Sequence, residues 1–319
     1  MRVAVIGLGV IGVGHVWLLK ERNEDVVAVC DVDEKKLSAF PNIKGYQDYL
    51  QMMDEVKPEV VHICTPHYLH TEMVTSALKR NIHVLCEKPL CIKKEDIPVI
   101  LQAEKESKAK LGVCFQNRYN LSSLFVKEWL KGKTILSARG CLCWNRDENY
   151  YGQAEWRGVK KTEGGGVLIN QAVHTVDLLQ WFVGMPKSVV GWCENVSLKG
   201  VIEVEDTAML TCMGDVDFSL CATTSAKDDY PTQIVVVTSD GEIRVTDNDV
   251  YINGELVNKN SSKESFIKKV YGEGHKALIS DFYDCIKTGR DFAIDGKEGL
   301  KAVKIVLATY ESDGKETKI

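Results

Sequence analysis

"VAVIGLGVIG", residues 3 to 12, decides the fold. It opens as a short apolar run without alternation, the pattern of a strand covered on both faces. It then places Gly7, Gly9 and Gly12 in G-x-G-x-x-G spacing at the start of a helical segment. In such a junction Gly7 allows the tight turn, Gly9 lets a pyrophosphate approach the backbone, and Gly12 lets the helix pack close to the strand. The helix start offers its unpaired N–H groups to the phosphates. Glycine-rich junctions also serve FAD and S-adenosylmethionine, so the motif names a nucleotide more firmly than a redox reaction.

Working outward, "VVAVC" at 26–30 reads as a second strand ending in Asp31, 24 residues after Gly7. An acidic side chain at that distance accepts hydrogen bonds from the adenine ribose hydroxyls. Its carboxylate repels a 2′-phosphate, and the following "VDEKK" brings no arginine to receive one, which predicts NAD in preference to NADP. The competing reading of Asp31 is a helix cap or a turn residue at a strand end. Further strands are expected at 59–64, 82–86 and 111–115, with helices between them, clearest at 69–80 and 95–108. Strands alternating with helices predict a doubly wound parallel sheet.

After Tyr119 the pattern changes. One helix, "SSLFVKEWLKG", is followed by alternating strands near 134–144, 187–196, 205–213, 216–224 and 232–238, then by the hairpin turns of "SDGEIRVTDNDVYINGEL" and two helices near 274–287 and 297–311. The expected architecture is α/β: a Rossmann domain over 1–118 and an α+β domain over 119–319 built on a largely antiparallel open sheet.

With 40 Lys and Arg against 45 Asp and Glu, the net charge of -5 leaves no excess of positive charge for a nucleic acid backbone. The start "MRVAVIGLGVIGVGHVWLL" has a basic residue before an apolar run, as secretory signals do, but its glycines and the lack of an A-x-A site argue against one. Elsewhere there is no apolar run of about 18 residues, so no membrane span is expected. Eleven scattered cysteines, the nearest pair in C-x-C spacing at Cys141 and Cys143, point to reduced thiols and a cytoplasmic setting.

Three more stretches carry chemistry. "CTPHYLH" at 64–70 ends the third strand, where ligands bind in open parallel sheets, and puts Thr65 and Pro66 in the crevice. His67 and His70 stand three apart without nearby ligands, so no metal is expected. "VLCEKPL" at 84–90 ends the fourth strand with Glu87, Lys88 and Pro89; a residue before proline is held extended, so Lys88 faces outward from a strand end rather than starting a helix. In "EGGGVLINQAVHTVDLLQWFVG", at about 100° per residue, Asn170, His174 and Asp177 form a polar stripe on an otherwise apolar helix. Such groups need partners within a core or a ligand. Gly164, Gly165 and Gly166 just upstream remove side chains where a substrate or backbone must come close.

With "GLGVIG", "CTPHYLH", "VLCEKPL", "FQNRYN", "AEWRG" and "EGGGVLINQAVHTVDLLQW" in this order, the chain resembles the Gfo/Idh/MocA family over essentially its whole length. The resemblance implies NAD or NADP binding, reversible oxidation of sugar-like alcohols, and a C-terminal sheet that joins subunits into a homodimer or homotetramer. It places Lys88 and His174 beside the substrate carbon and the nicotinamide, with Asn170 as a third catalytic position. Lys88 then faces the oxygen where negative charge develops, and His174, whose ordinary pKa lies near 6.5, takes the proton. Two readings of Glu87 stay open, orienting Lys88 or touching the nicotinamide, and Asp177 is assigned the tautomer of His174. Asn117, Trp156 and Arg157 border the substrate, and Arg146, Tyr150 and Tyr151 suit sugar stacking, a lid or a subunit contact. Two departures stand out: many relatives carry aspartate at the position of Asn170, and asparagine is common at that of His67.

The expected cofactor set is therefore Gly7, Leu8, Gly9, Val10, Ile11, Gly12, Asp31, Thr65, Pro66, His70, Glu87 and Lys88. The substrate set is Lys88, Asn117, Trp156, Arg157, Asn170 and His174. The expected activity is hydride transfer between NAD(H) and a secondary alcohol or ketone of a sugar, cyclitol or nucleotide-sugar. The rival is a non-catalytic NAD(P)-binding regulator that kept the fold.

Overall fold

A computed structural model describes residues 1–247, 249–258 and 274–319. The chain opens with β1 (Arg2–Ile6), α1 (Val10–Glu21), β2 (Asp25–Cys30), α2 (Glu34–Leu37), β3 (Lys44–Tyr46), α3 (Tyr49–Val56), β4 (Val60–Ile63), α4 (His70–Lys79), β5 (His83–Cys86), α5 (Asp96–Glu106) and β6 (Leu111–Val113). The six strands form one sheet in the order β3-β2-β1-β4-β5-β6, every pairing parallel. Val3, Val5, Val60, Val61, Val84 and Leu85 are completely buried. Unalternated Val-rich runs form strands here because helices cover both faces. β3, with the sequence "KGY", was not legible as a strand: it is three residues long and carries no apolar run.

The second part has α6 (Leu121–Trp129), β7 (Ile135–Cys143), α7 (Glu148–Gly152), α8 (Lys160–Glu163), α9 (Val167–Asn170), α10 (Val173–Val183), β8 (Ser188–Glu194), β9 (Thr207–Met213), β10 (Phe218–Thr223), β11 (Gln233–Thr238), β12 (Gly241–Thr246), β13 (Asp249–Ile252) and β14 (Glu255–Asn258). After α11 (Gly274–Thr288) and α12 (Gly296–Ser312), β15 (Thr317–Lys318) ends the chain. Its nine-stranded sheet runs β14-β13-β12-β11-β7-β10-β9-β8-β15. Every pairing is antiparallel except β7 with β10. Asn253 and Gly254, with φ of 50° and 86°, make the left-handed two-residue turn that joins β13 to β14.

One face of this sheet is covered: a Cβ on Gly140 would lie 2.9 Å from Thr175 Cγ2 and 3.0 Å from Leu179 Cδ1 of α10. Along the other face Trp192, Met209, Cys221, Cys141 and Gln233 stand side by side in register across five strands. Trp192 is 44% exposed and Met209 54%.

Contacts divide the described chain into two units, 1–115 with 275–300, and 116–258 with 274 and 301–319. The expected boundary at 118/119 lies close to the first of these breaks, and 275–300 returns to the first unit. Phe282 and Tyr283 of α11 are fully buried in the first unit. Phe282 lies where a Cβ on Gly112 would come within 2.8 Å of its ring. Val113 donates to the Ile294 carbonyl at 2.9 Å, so the returning chain covers the open edge at β6. Among the described residues no helix is long and apolar enough to cross a membrane, and each of the eleven cysteines is a free thiol.

Candidate active site

In the first unit, the turn between β1 and α1 is shaped by two glycines that meet backbone and one that meets nothing. Gly7 has φ of 90°, and a Cβ there would sit 2.6 Å from the Cys64 carbonyl oxygen. A Cβ on Gly12 would sit 1.8 Å from the Gly7 oxygen. A Cβ on Gly9 would find nothing within 4 Å. The space above Gly9 is thus open, and no side chain caps the start of α1. An anion can reach the first N–H groups of that helix. Val10 is 65% exposed at the helix start, Ile11 is half-buried, and Leu8 is buried, so Leu8 offers backbone only.

Asp31 sits at the end of β2 with 8% of its surface exposed. It accepts from the Leu8 amide at 2.7 Å and the Asp33 amide at 3.0 Å, and Lys36 Nζ lies 3.3 Å away. The helix-cap reading passes to Asp33, which caps α2 by accepting from the Lys35 amide. Asp31 instead ties the glycine turn to the end of β2.

Thr65 and Pro66 follow β4, half-buried as a crevice position requires. His70 is fully buried, with Nδ1 2.7 Å from the Pro89 oxygen and Nε2 2.9 Å from the Thr65 oxygen. Burial lowers its pKa against the raising effect of those carbonyls. Both ring nitrogens face backbone carbonyls, and the neutral ring donates to one of them. His67 is also buried.

Glu87 turns inward. Its Oε1 is 3.1 Å from His15 Nε2 of α1 and 3.3 Å from His275 Nε2 of α11. Behind it His15 Nδ1 is 2.8 Å from His62 Nδ1, and His62 Nε2 is 3.0 Å from Tyr283 Oη. With neutral rings every bond can run one way: Tyr283 donates to His62, His62 to His15, and His15 to the carboxylate. Burial raises the Glu87 pKa, but hydrogen bonds from His15 and His275 outweigh it and hold the carboxyl well below its usual range. Burial lowers both His15 and His62. The ligand atoms of His15, Glu87 and His275 lie within 4.8 Å of one another, close enough to share a metal ion; their separations are equally those of the hydrogen bonds just described. Of the two readings left for Glu87, anchoring the segment that carries Lys88 is the one this geometry supports. Lys88 itself is half-buried and joined to Pro89 by a cis peptide.

In the second unit the polar stripe is split. Asn170 ends α9 and His174 lies in the first turn of α10, with Gln171 and Ala172 forming a turn between the two helices. His174 is buried at 8% exposure. Both Asp177 oxygens accept from Arg118, at 2.7 and 2.6 Å, in a buried ion pair, and Gln180 donates to Oδ1 at 3.3 Å. Asp177 is thus held by a bidentate pair with Arg118.

Of the two approaches left open for the triglycine, the structure shows that of the protein itself. A Cβ on Gly165 would lie 2.0 Å from Tyr310 Oη, and one on Gly166 1.8 Å from the Glu205 oxygen. Gly164, with φ of 90°, ends α8. Glu205 then accepts from the Gly166 and Leu168 amides at 2.8 and 3.0 Å and from Tyr310 at 2.8 Å, anchoring the start of α9. Sequence reading missed Glu205 and Glu163, which sit in "VIEVEDTAM" and "KTEGGG", where no local pattern marks them as buried.

Glu163 is completely buried and accepts from Asn170 Nδ2 at 2.5 Å and from the Gly158 amide at 2.5 Å. Burial pushes its carboxyl up to about 7. Beside it Arg157 stacks 4.4 Å from the Tyr150 ring and 5.7 Å from Trp156, with Nη1 on the Tyr150 oxygen and on Gln153. Gln171 Nε2 is 3.3 Å from Tyr150 Oη. Two buried atoms here, Arg157 Nε and Gln171 Oε1, have no partner among the described residues, and neither has Asn117 Oδ1 in the segment after β6. Arg146 pairs with Asp229 at 2.9 Å and stacks 5.2 Å from the Tyr150 ring.

Residues 1–115 match the model of an oxidoreductase family with an NAD-binding Rossmann fold, GFO/IDH/MocA, and residues 132–244 match the C-terminal domain of the same family. The chain is 24% identical to the myo-inositol 2-dehydrogenase of Thermotoga maritima, over 98% of this chain and 96% of that protein. It is 32% identical to the levoglucosan dehydrogenase of Pseudarthrobacter phenanthrenivorans over 43% of this chain and 36% of that one. The WlbA dehydrogenase of Bordetella pertussis, solved with NADH and UDP-GlcNAcA, superposes with a TM-score of 0.90 at 24% identity, covering 100% of this chain and 97% of that one. With two domain models of one family matching successive parts of the sequence, the chain belongs to the GFO/IDH/MocA oxidoreductases.

Proposed function

We propose that the protein is an NAD-dependent dehydrogenase exchanging hydride with a secondary alcohol or ketone of a sugar, cyclitol or nucleotide-sugar. The observation that carries this reading is the pairing of a built dinucleotide turn, open at Gly9 and closed at Gly7 and Gly12, with the retained Lys88 and His174. Gly7 through Gly12 and Asp31 hold the cofactor, with Thr65, Pro66 and Lys88 along the crevice. The carboxylate of Asp31 favours the ribose hydroxyls of NAD over a 2′-phosphate. Bound NAD supplies the hydride acceptor. Lys88 stands by the reacting oxygen and stabilises its developing negative charge. His174 takes the hydroxyl proton at a ring nitrogen as the hydride leaves the carbon, and returns it in the reverse direction. The orphaned Asn117, Arg157 and Gln171 atoms suit a ligand rich in hydroxyls, which both donates and accepts. Inositol, levoglucosan and UDP-GlcNAcA, the molecules named for the relatives, share that chemistry.

The test is NADH formation, followed by absorbance, across a panel of polyols and sugar nucleotides. Lys88→Ala and His174→Ala should each lower turnover by on the order of a hundredfold or more while leaving NADH affinity close to wild type. Full activity in both variants rejects the role assignment; tight NADH binding by a wild type that turns over nothing in the panel favours the regulator.

We also propose that the first part of the chain serves the cofactor, and that the second serves substrate and assembly. The face bearing Trp192 and Met209 joins copies of the chain into a homodimer or homotetramer. Replacing both with Lys should lower the mass measured by light scattering, and an unchanged mass would exclude that face. The free thiols support a cytoplasmic, reducing setting.

A further inference from the structure

Asn170 occupies a position where an acid would supply charge, and an amide supplies none. The structure places an acid directly behind it. Both Glu163 oxygens accept, Oε1 from Asn170 Nδ2 and Oε2 from the Gly158 amide. While the carboxylate is ionised it can only accept, so Asn170 must turn its nitrogen toward Glu163 and its oxygen away. A proton on Oε1 makes that oxygen a donor. The amide satisfies a donor only by turning its oxygen inward, which sends its NH2 outward.

We propose that Glu163 is a positioning residue whose protonation state selects which end of the Asn170 amide is presented on the side away from it. This deepens the dehydrogenase reading and rests on it for its kinetic consequence. Ionised Glu163 presents an acceptor, which suits a substrate hydroxyl. Protonated Glu163 presents a donor, which suits a ketone oxygen. The proton comes from solvent, and no bond in the substrate is altered by the switch.

The surroundings allow the switch to work at neutral pH. Burial pushes the Glu163 carboxyl up to about 7, Glu205 adds to the rise, and the Gly158 amide, Asn170 and Arg157 oppose it. Glu205 is itself raised by burial. The Tyr151 hydroxyl, which feels the Glu163 charge, is pushed beyond the neutral range and stays protonated.

The experiment is side-chain NMR of the whole 15N-labelled protein, with the Asn170 amide assigned by its loss in Asn170→Asp. The expected result is a pH-dependent shift of that amide with a midpoint of about 7, absent in Glu163→Gln, whose amide does not titrate. An Asn170 resonance that ignores pH across the neutral range, or the same titration persisting in Glu163→Gln, overturns the proposal. A cooperative melting transition checks that the isosteric variant folds. This measurement needs no turnover, so a wild type that titrates as expected but oxidises nothing refutes the dehydrogenase reading and leaves the amide switch standing. In an active enzyme, KM for the alcohol should rise roughly fivefold to tenfold as pH falls through the transition, with kcat following His174 separately; Glu163→Gln should flatten the KM profile. A KM profile unchanged by the variant counts against the switch.

Discussion

The two glycine-rich junctions look alike in sequence and do opposite things. Each puts three glycines at the start of a helix with a functional residue in reach. Around Gly7, Gly9 and Gly12 the outer two are pressed against backbone and the middle one faces open space. Around Gly164, Gly165 and Gly166 the space is already filled, by Tyr310 and by the Glu205 backbone. In the first junction glycine makes room for a ligand. In the second it makes room for the protein itself, and the ligand chemistry lies farther along, at Asn170 and His174. A glycine run therefore reports a close approach without saying what approaches.

The sharpest way to break this contrast is to add one methyl group at each position. Gly12→Ala and Gly166→Ala should be the most damaging, because each Cβ would fall 1.8 Å from a carbonyl oxygen with no flexible side chain to yield. We expect losses of about 3 kcal/mol or more in denaturant unfolding, or no folded protein. If Gly166→Ala folded with wild-type stability, the filled-space account of the second junction would be wrong. Gly9→Ala should behave differently, since its Cβ meets nothing. Its unfolding midpoint should stay within about 0.5 kcal/mol of wild type. Its NADH affinity, measured by fluorescence titration, should fall roughly tenfold because the methyl occupies the approach of the pyrophosphate. Wild-type affinity in Gly9→Ala would remove the pyrophosphate from that space.

The sequence was most readable where function and local geometry coincide. β1, the glycine turn and Asp31 could be read together because strand, turn and carboxylate follow one another at a fixed spacing set by the parallel sheet. The positions of most strands in the second part were readable from alternation, since α10 covers only one face of that sheet, but their order in the sheet was not. What could not be read depended on contacts distant in the chain. The return of 275–300 to the first unit is written in His275 and Phe282, whose partners His15, Glu87 and Gly112 lie far upstream. Periodicity likewise could not reveal that Asp177 belongs to Arg118, or that Asn170 and His174 sit on separate helices. Glu163 drew no reading from its neighbours in sequence, and its burial depends on Gly158 and Asn170.

The smallest effect we predict sets the two units against each other through pH. In the first unit His15, His62 and His70 have pKa values lowered by burial. Each stays neutral when folded but charges when unfolded, so its contribution is present above about 6.5 and lost as pH falls. Glu163 in the second unit has the opposite sign. Its folded carboxyl is raised from 4.5 to about 7, so its contribution is present below about 4.5 and lost as pH rises to about 7. Glu104 of the first unit, raised by burial to about 7, acts in the same sense. From pH about 7.5 to about 6.5 the lowered imidazoles, His83 among them, cost stability as they charge in the unfolded chain, while a carboxyl raised to about 7 returns roughly 0.7 kcal/mol. Glu163→Gln removes one of the opposing carboxyls and nothing from the histidines. Over that interval its unfolding free energy should fall by about 0.7 kcal/mol relative to wild type as the solution is acidified, measured by denaturant titration at the two pH values. Parallel curves for the two proteins would mean that Glu163 does not take up its proton in this range on folding, and would remove the titration on which the Asn170 switch depends.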